Sequence, residues 1–180
     1  MRNVPADSVE AKTISAPGKI ILSGEYAVLY GYSGIAVPAP LSVSVSFTPG
    51  DEDDIVCDWE ANDEWTEYVQ DIINHCVALG NIEPGALHIE NQIPLGKGMG
   101  SSTAFVIAIA KCLLGDDCKE QAMVIEDAVN PGHSGLDFAV IWNNTPVVFR
   151  RGEDPKQIDL PADLLRGALL IDTGTPDQQT

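Results

Sequence analysis

An α+β fold, with a mixed and largely antiparallel sheet packed against helices, is predicted by three observations. Short extended runs punctuated by turn signals dominate the first third of the chain. Two contrasting helical segments follow, one amphipathic and one apolar nearly all round. The composition, 44% apolar and 21% charged over 180 residues, fills one sizeable core and begins a second.

The elements follow in order. Lys19 to Leu22 reads as a strand. Ile35 to Phe47 is longer, with Leu41, Val43, Val45 and Phe47 on one face and serines on the other, the period-two signature of a half-buried strand. The acidic run Gly50 to Asp54 lacks EF-hand ligand spacing and reads as a solvated hairpin tip, with Ile55 to Trp59 as the returning strand. From Glu64 to Leu79, Trp65, Tyr68, Val69, Ile72, Ile73 and Cys76 recur at three- and four-residue spacing, which predicts a helix with one packed face, ended by Gly80. A strand over Ala86 to Asn91 leads into Pro94 to Ser102. The helix predicted from Thr103 to Leu114 is apolar on every side, so its N-terminus lies inside the fold. A further helix is predicted from Lys119 to Val129. Leu136 to Trp142 and Thr145 to Arg150 read as a hairpin around Asn143-Asn144, and Ala168 to Ile171 as a last strand.

Composition excludes several functions. A net charge of −17, with no basic run longer than Arg150-Arg151, disfavours nucleic acid and anionic membranes as partners. The N-terminus lacks the apolar core of a signal peptide and no apolar stretch reaches a membrane span, which predicts a cytoplasmic protein. Cys57, Cys76, Cys112 and Cys118 form no CxxC pair and read as reduced core thiols.

The most unusual segment is Pro94-Leu95-Gly96-Lys97-Gly98-Met99-Gly100-Ser101-Ser102. Glycine at alternate positions removes side chains from a loop that opens onto a buried helix, so successive N–H groups can close on an anion, helped by the helix dipole. Ser101 and Ser102 offer hydroxyls there as caps or metal ligands. The spacing fits neither a Walker A loop nor a dinucleotide fingerprint. The plain alternative is a flexible glycine loop before a capped helix. Glu126 lies among Ala122, Met123, Ile125 and Val129, either partly buried and in need of a cation or solvent-facing like Asp127. Asp137 follows the turn Pro131 to Gly135. A hydrolase triad of His133, Ser134 and Asp137 fails on spacing. Lys19, in Ala16-Pro17-Gly18-Lys19-Ile20, is either an edge gatekeeper or an inward cation.

Together these segments resemble the GHMP kinases, the family of galactokinase, homoserine kinase, mevalonate kinase and phosphomevalonate kinase. Ala16 to Gly31 is similar to the mevalonate kinase opening, Pro94 to Ser102 to the P-x-G-x-G-L-G-S-S nucleotide loop, and Ser134-Gly135-Leu136-Asp137 to the S-G-x-D motif, with Glu126 eleven residues ahead of that Asp. The resemblance implies a ribosomal-protein-like βαβ core, and ATP and Mg2+ as cofactors. The loop from Pro94 through Gly96, Lys97, Gly98, Met99, Gly100 and Ser101 to Ser102 would hold phosphates, and Ser102 and Glu126 the metal. Asp137 would stand near the acceptor hydroxyl with Lys19 beside it, and Glu25, Tyr26 and Ser134 would touch the acceptor. That acceptor is expected to be an anionic primary alcohol such as mevalonate, with phosphomevalonate, homoserine or a non-catalytic nucleotide-binding module as alternatives. The chain departs from the pattern at Tyr26, at Asn130 to His133 and at Phe138. The division expected is a flexible arm over residues 1–12, an ATP-binding domain over 13–165 and the start of a C-terminal domain over 166–180. A homodimer or a complementing chain would supply what that domain normally completes.

Overall fold

The computed structural model describes residues 12–174 apart from 52, 162 and 173. Of the arm expected over residues 1–12 only Lys12 is described, and it already belongs to a strand; the last six residues lie outside the description.

The sheet is built around β2 (Gly34–Pro49), sixteen residues long and long enough to hold different neighbours along one edge. β1 (Lys12–Ser23) runs antiparallel along its other edge. β4 (Gly85–Asn91) pairs with Val43 to Pro49, while β5 (Val147–Phe149) pairs with Gly34 to Ala36 on the same side, and the two-residue β6 (Lys156–Gln157) closes that end. β3 (Ile55–Asp58) pairs parallel with β4 and forms the outer strand beyond it.

The expected β2–β3 hairpin is therefore corrected. The chain passes Asp51 to Asp54, continues through β3, and crosses over by α1 (Asp63–Leu79) before β4 inserts between β3 and β2. A parallel pair needs such a crossover, and the amphipathic face of α1 supplies the cover it requires. This is the β3–α1–β4 unit expected of the family. Asn62 caps α1 by accepting the Trp65 N–H at 3.0 Å. At the other end Gly80 is extended rather than left-handed, with φ of −129°.

α2 (Ser101–Leu114) packs against β1, β2, α1, α3 (Lys119–Val129) and α4 (Leu136–Asn143), which explains why polar residues are nearly absent from it. Phe105, Ile107 and Ile109 on it are essentially sealed from solvent. The core reaches from these residues to Val43, Val45, Leu87, Ile72 and Ile73.

Two further expectations are corrected. Leu136 to Trp142 is helix, not strand: Gly135 opens it in the left-handed region and Asn144, at φ 47°, closes it. Apart from Asp137 the run is apolar and carries no clear period, so a segment this short reads equally as either. Phe138 and Trp142 stack one turn apart, ring centroids 5.6 Å and planes 6° apart, with Lys111 Nζ 4.1 Å over the Trp142 ring. Ala168 to Ile171 pairs with no strand among the described residues, and Leu169 is 86% exposed. The four cysteines are free, and burial pushes the Cys76 thiol up to about 12, in keeping with inert core thiols.

Candidate active site

Three elements deliver their polar groups to one point, the N-terminus of α2. The first is β1. Its inward residues Ile14, Ala16 and Gly18 keep a period of two, and then the next residue, Lys19, is also buried at 5% exposure. The pairing skips here, from Pro17 opposite Ser42 to Lys19 opposite Pro38, which rotates the lysine toward the glycine loop. The Lys19 N–H donates to Met99 O at 2.8 Å and its Nζ donates to Gly98 O at 2.7 Å. Gly18 must be glycine for the same reason, since a Cβ there would stand 2.8 Å from Met99 O.

The second element is the loop and the helix end it feeds. Gly96, Gly98 and Gly100 have φ of 67°, 70° and 72°, a region that L side chains rarely adopt. Gly100 is the N-cap and has no side chain to offer, so Ser101 and Ser102 are not caps but lie in the first turn. The first helical bond runs from Ala104 N to Gly100 O, and the N–H groups of Ser101, Ser102 and Thr103 meet no acceptor among the described residues. With Ser101 and Thr103 buried, water reaches this helix end poorly and an anion would satisfy it.

The third element is α4, whose first turn carries Asp137. Its Oδ2 lies 3.5 Å from Lys19 Nζ, with 30% of the side chain still open. Burial pushes the Asp137 carboxyl above the ordinary aspartate range and Lys19 pulls it back. The convergence is visible at Gly100, where a Cβ would stand 2.9 Å from Lys19 Cγ and 3.3 Å from Asp137 Oδ2.

Glu126 approaches from α3 with 1% exposure. Thr103 Oγ1 donates to its Oε1 at 2.7 Å, while Oε2 has no partner. Burial raises its carboxyl and the Thr103 bond opposes the rise. A buried carboxylate with one bare oxygen, bonded to Thr103 in a first turn that also carries Ser101 and Ser102, is a donor set that fits a hard divalent cation.

The remaining expected residues divide. Lys19, Glu25, Lys97, Gly98 and Leu170 line a hollow of about 170 Å³ beside the loop. Tyr26 is 61% exposed and does not line it. Ser134 Oγ accepts the Leu136 N–H, a turn role, and His133 Nε2 pairs with Asp127 at 2.7 Å rather than with Ser134. Pro94 is exposed, whereas Met99 is buried and turns its carbonyl to Lys19. Lys97 Nζ lies 3.2 Å from Asp172 Oδ2 and donates to Gly174 O at 3.1 Å, so it engages the end of the described chain. A larger hollow of about 300 Å³ near Pro146 and Leu164 contains no ionisable group. Sequence reasoning missed Thr103, which leaves a trace as a third hydroxyl residue opening an otherwise apolar helix.

Residues 67–141 match the family described as the GHMP kinases N terminal domain. The mevalonate kinase of Archaeoglobus fulgidus is 33% identical over 138 residues, which cover 68% of this chain and 47% of that protein. The crystal structure of a mevalonate kinase from methicillin-resistant Staphylococcus aureus superposes with a TM-score of 0.62 at 29% identity, over 82% of this chain and 55% of that one. The Methanococcus jannaschii mevalonate kinase shares the fold with a TM-score of 0.72 at 23% identity, over 86% and 57%. The chain spans about half the length of the curated relatives it matches. Matched segment, relatives and fold agree, and the chain belongs to the GHMP kinase family through its N-terminal domain.

Proposed function

We propose that the chain forms the nucleotide-binding half of an ATP-dependent kinase that phosphorylates a primary alcohol of an anionic metabolite, with mevalonate as the first candidate. The observation that carries this is Lys19 Nζ, held between Gly98 O of the glycine loop and Asp137 Oδ2 at the open N-terminus of α2. Mevalonate is favoured because the curated relatives are mevalonate kinases.

In this reading the backbone from Gly96 to Ser102 binds the triphosphate, and its alignment with the acceptor supplies most of the rate. Mg2+, when bound, neutralises charge on the β- and γ-phosphates, and Ser102 Oγ and the bare Oε2 of Glu126 would hold it. Lys19 keeps Asp137 ionised against burial, and Asp137 accepts the acceptor's proton or orients its hydroxyl as the new P–O bond forms and ADP leaves. Glu25 and Lys97 face the hollow into which the acceptor would fit. Residues 13–165 form the ATP-binding unit, and residues 166–180 open a further domain. We place the protein in the cytoplasm; among the described residues no helix is long and apolar enough to cross a membrane.

The test is Asp137→Asn, which keeps the shape and removes the charge. Turnover with mevalonate, read as ADP release, is expected to fall at least about a hundredfold, within the range of a lost acid–base group, while calorimetric ATP affinity stays within about twofold. Unchanged turnover would remove Asp137 from the chemistry. A panel of mevalonate, phosphomevalonate and homoserine decides the acceptor.

A further inference from the structure

The hollow beside the loop before α2 is lined by two lysines, and they differ in how far each is committed. Lys19 is 5% exposed, donates to Gly98 O and lies against Asp137, so its charge is balanced inside the fold. Lys97 is tied only to the end of the described chain. Its Nζ lies 3.2 Å from Asp172 Oδ2 and donates to Gly174 O at 3.1 Å. An ammonium has three donors, and the third meets no acceptor among the described residues.

Asp172 is placed for this contact by a short turn. Its Oδ1 accepts the Gly174 N–H at 2.8 Å, which leaves Oδ2 for Lys97. The Gly174 bond and Lys97 hold the Asp172 carboxyl below the ordinary aspartate range, so it is ionised at neutral pH. With 57% of the Asp172 side chain and 33% of the Lys97 side chain exposed, solvent screens the pair, and another carboxylate can exchange for Asp172. Leu170, two residues earlier, lines the same hollow with Ile20, Ile21 and Met99. Glu25, the other charge on that lining, repels an anion and leaves Lys97 as the place for it. At about 170 Å³ the hollow suits a small metabolite, and Ser101, Ser102 and Thr103 of the open helix end do not line it.

From this arrangement we propose that Lys97 reads the carboxylate of the acceptor, and that Asp172 occupies Lys97 as an internal stand-in until that carboxylate displaces it. The inference rests on the proposed function, because it assigns Lys97 to the acceptor side of the same site and not to the phosphates of ATP. Lys97 is thereby a specificity-determining residue, selecting alcohols that also carry a carboxylate.

The test titrates mevalonate by calorimetry into wild type, Asp172→Asn, Lys97→Met and Lys97→Arg. The titration is repeated with the neutral amide of mevalonate, and a non-hydrolysable ATP analogue is measured separately. Asp172→Asn is expected to bind mevalonate about two- to fivefold more tightly, the range of a screened pair removed from competition. Lys97→Met is expected to lose at least about tenfold, the scale of a hydrogen bond to a charged group, and Lys97→Arg to recover most of that loss. The amide is expected to bind all four proteins within about twofold of one another, and the analogue likewise. Unchanged mevalonate affinity in folded Lys97→Met overturns the assignment and leaves the kinase reading intact. Loss of analogue affinity in that variant shows that Lys97 serves the phosphates and also overturns it. Weaker or unchanged binding by Asp172→Asn overturns the displacement. Lys97-dependent binding without ADP release by wild type supports the assignment and removes the kinase reading alone. Wild type that binds no mevalonate overturns this inference, and turnover on the acceptor panel then decides the kinase reading separately.

Discussion

A carboxylate sealed at 1% exposure with one oxygen unpartnered is a load on the folded state. Its pKa is raised, so between the ordinary glutamate value and the raised one the folded chain binds more protons than the unfolded chain. Stability therefore falls as pH rises through that window and stays lowered above it. Glu126→Gln is expected to raise stability at neutral pH in the absence of metal. Recovering the roughly 1–3 kcal/mol of an unsatisfied buried group corresponds to about 2–12 °C in Tm at this length. The gain should fade toward pH 4, where wild-type Glu126 is protonated in both states, and Mg2+-dependent turnover should disappear. Thermal melts at pH 4 and pH 7.5 check both signs; a variant less stable at neutral pH contradicts the account.

At the level of elements, the glycines of the loop before α2 are not equivalent. A Cβ on Gly96 or Gly98 meets nothing within 4 Å, so Gly96→Ala carries only the left-handed backbone cost of about 1–2 kcal/mol. Gly100→Ala carries that cost and also presses on Lys19 and Asp137. The two variants are expected to melt within a few degrees of each other, while Gly100→Ala loses far more turnover; equal activities would show that the convergence at Gly100 is not functional. The same elements show what sequence could reveal. α1, α2, α3 and the long β2 carry periods or uniform apolarity that survive in any context. α4 does not, because a short segment with six apolar residues among eight and turn formers at each end fits helix and strand alike, and only the i,i+4 pair Phe138 and Trp142 hints at the answer. The partner of β3 was invisible too: a strand names its inward face but not its neighbour, and α1 decided it. Lys19, Ser102 and Asp137 were legible through their motifs. Glu126 was legible as a candidate, with burial as one of two open readings, and its 1% exposure decides between them.

For the whole molecule, β2 and α2 form the axis around which everything else packs, and the described chain ends in a segment with little cover. Leu169, Leu170 and Ile171 are 86%, 63% and 74% exposed, and Lys97 with Asp172 is the ion pair that engages this segment. Hydrogen exchange is expected to be slowest in α2 and in Val43 to Phe47, near the limit of global unfolding, and fastest over residues 163–172. Slow exchange across 169–171 would mean that this segment is covered in solution. A pair as exposed as Lys97 and Asp172 contributes too little to change that order.

The skipped pairing in β1 has a consequence for redesign. It acts as a phase break: upstream of Pro17 the strand keeps one inside-outside rhythm, and from Lys19 onward it keeps another. The outward residues Thr13 and Ser15 can accordingly be rewritten without turning the lysine, whereas one residue inserted between Gly18 and Lys19 would swing the ammonium to the opposite side of the strand and empty the junction on which the loop depends.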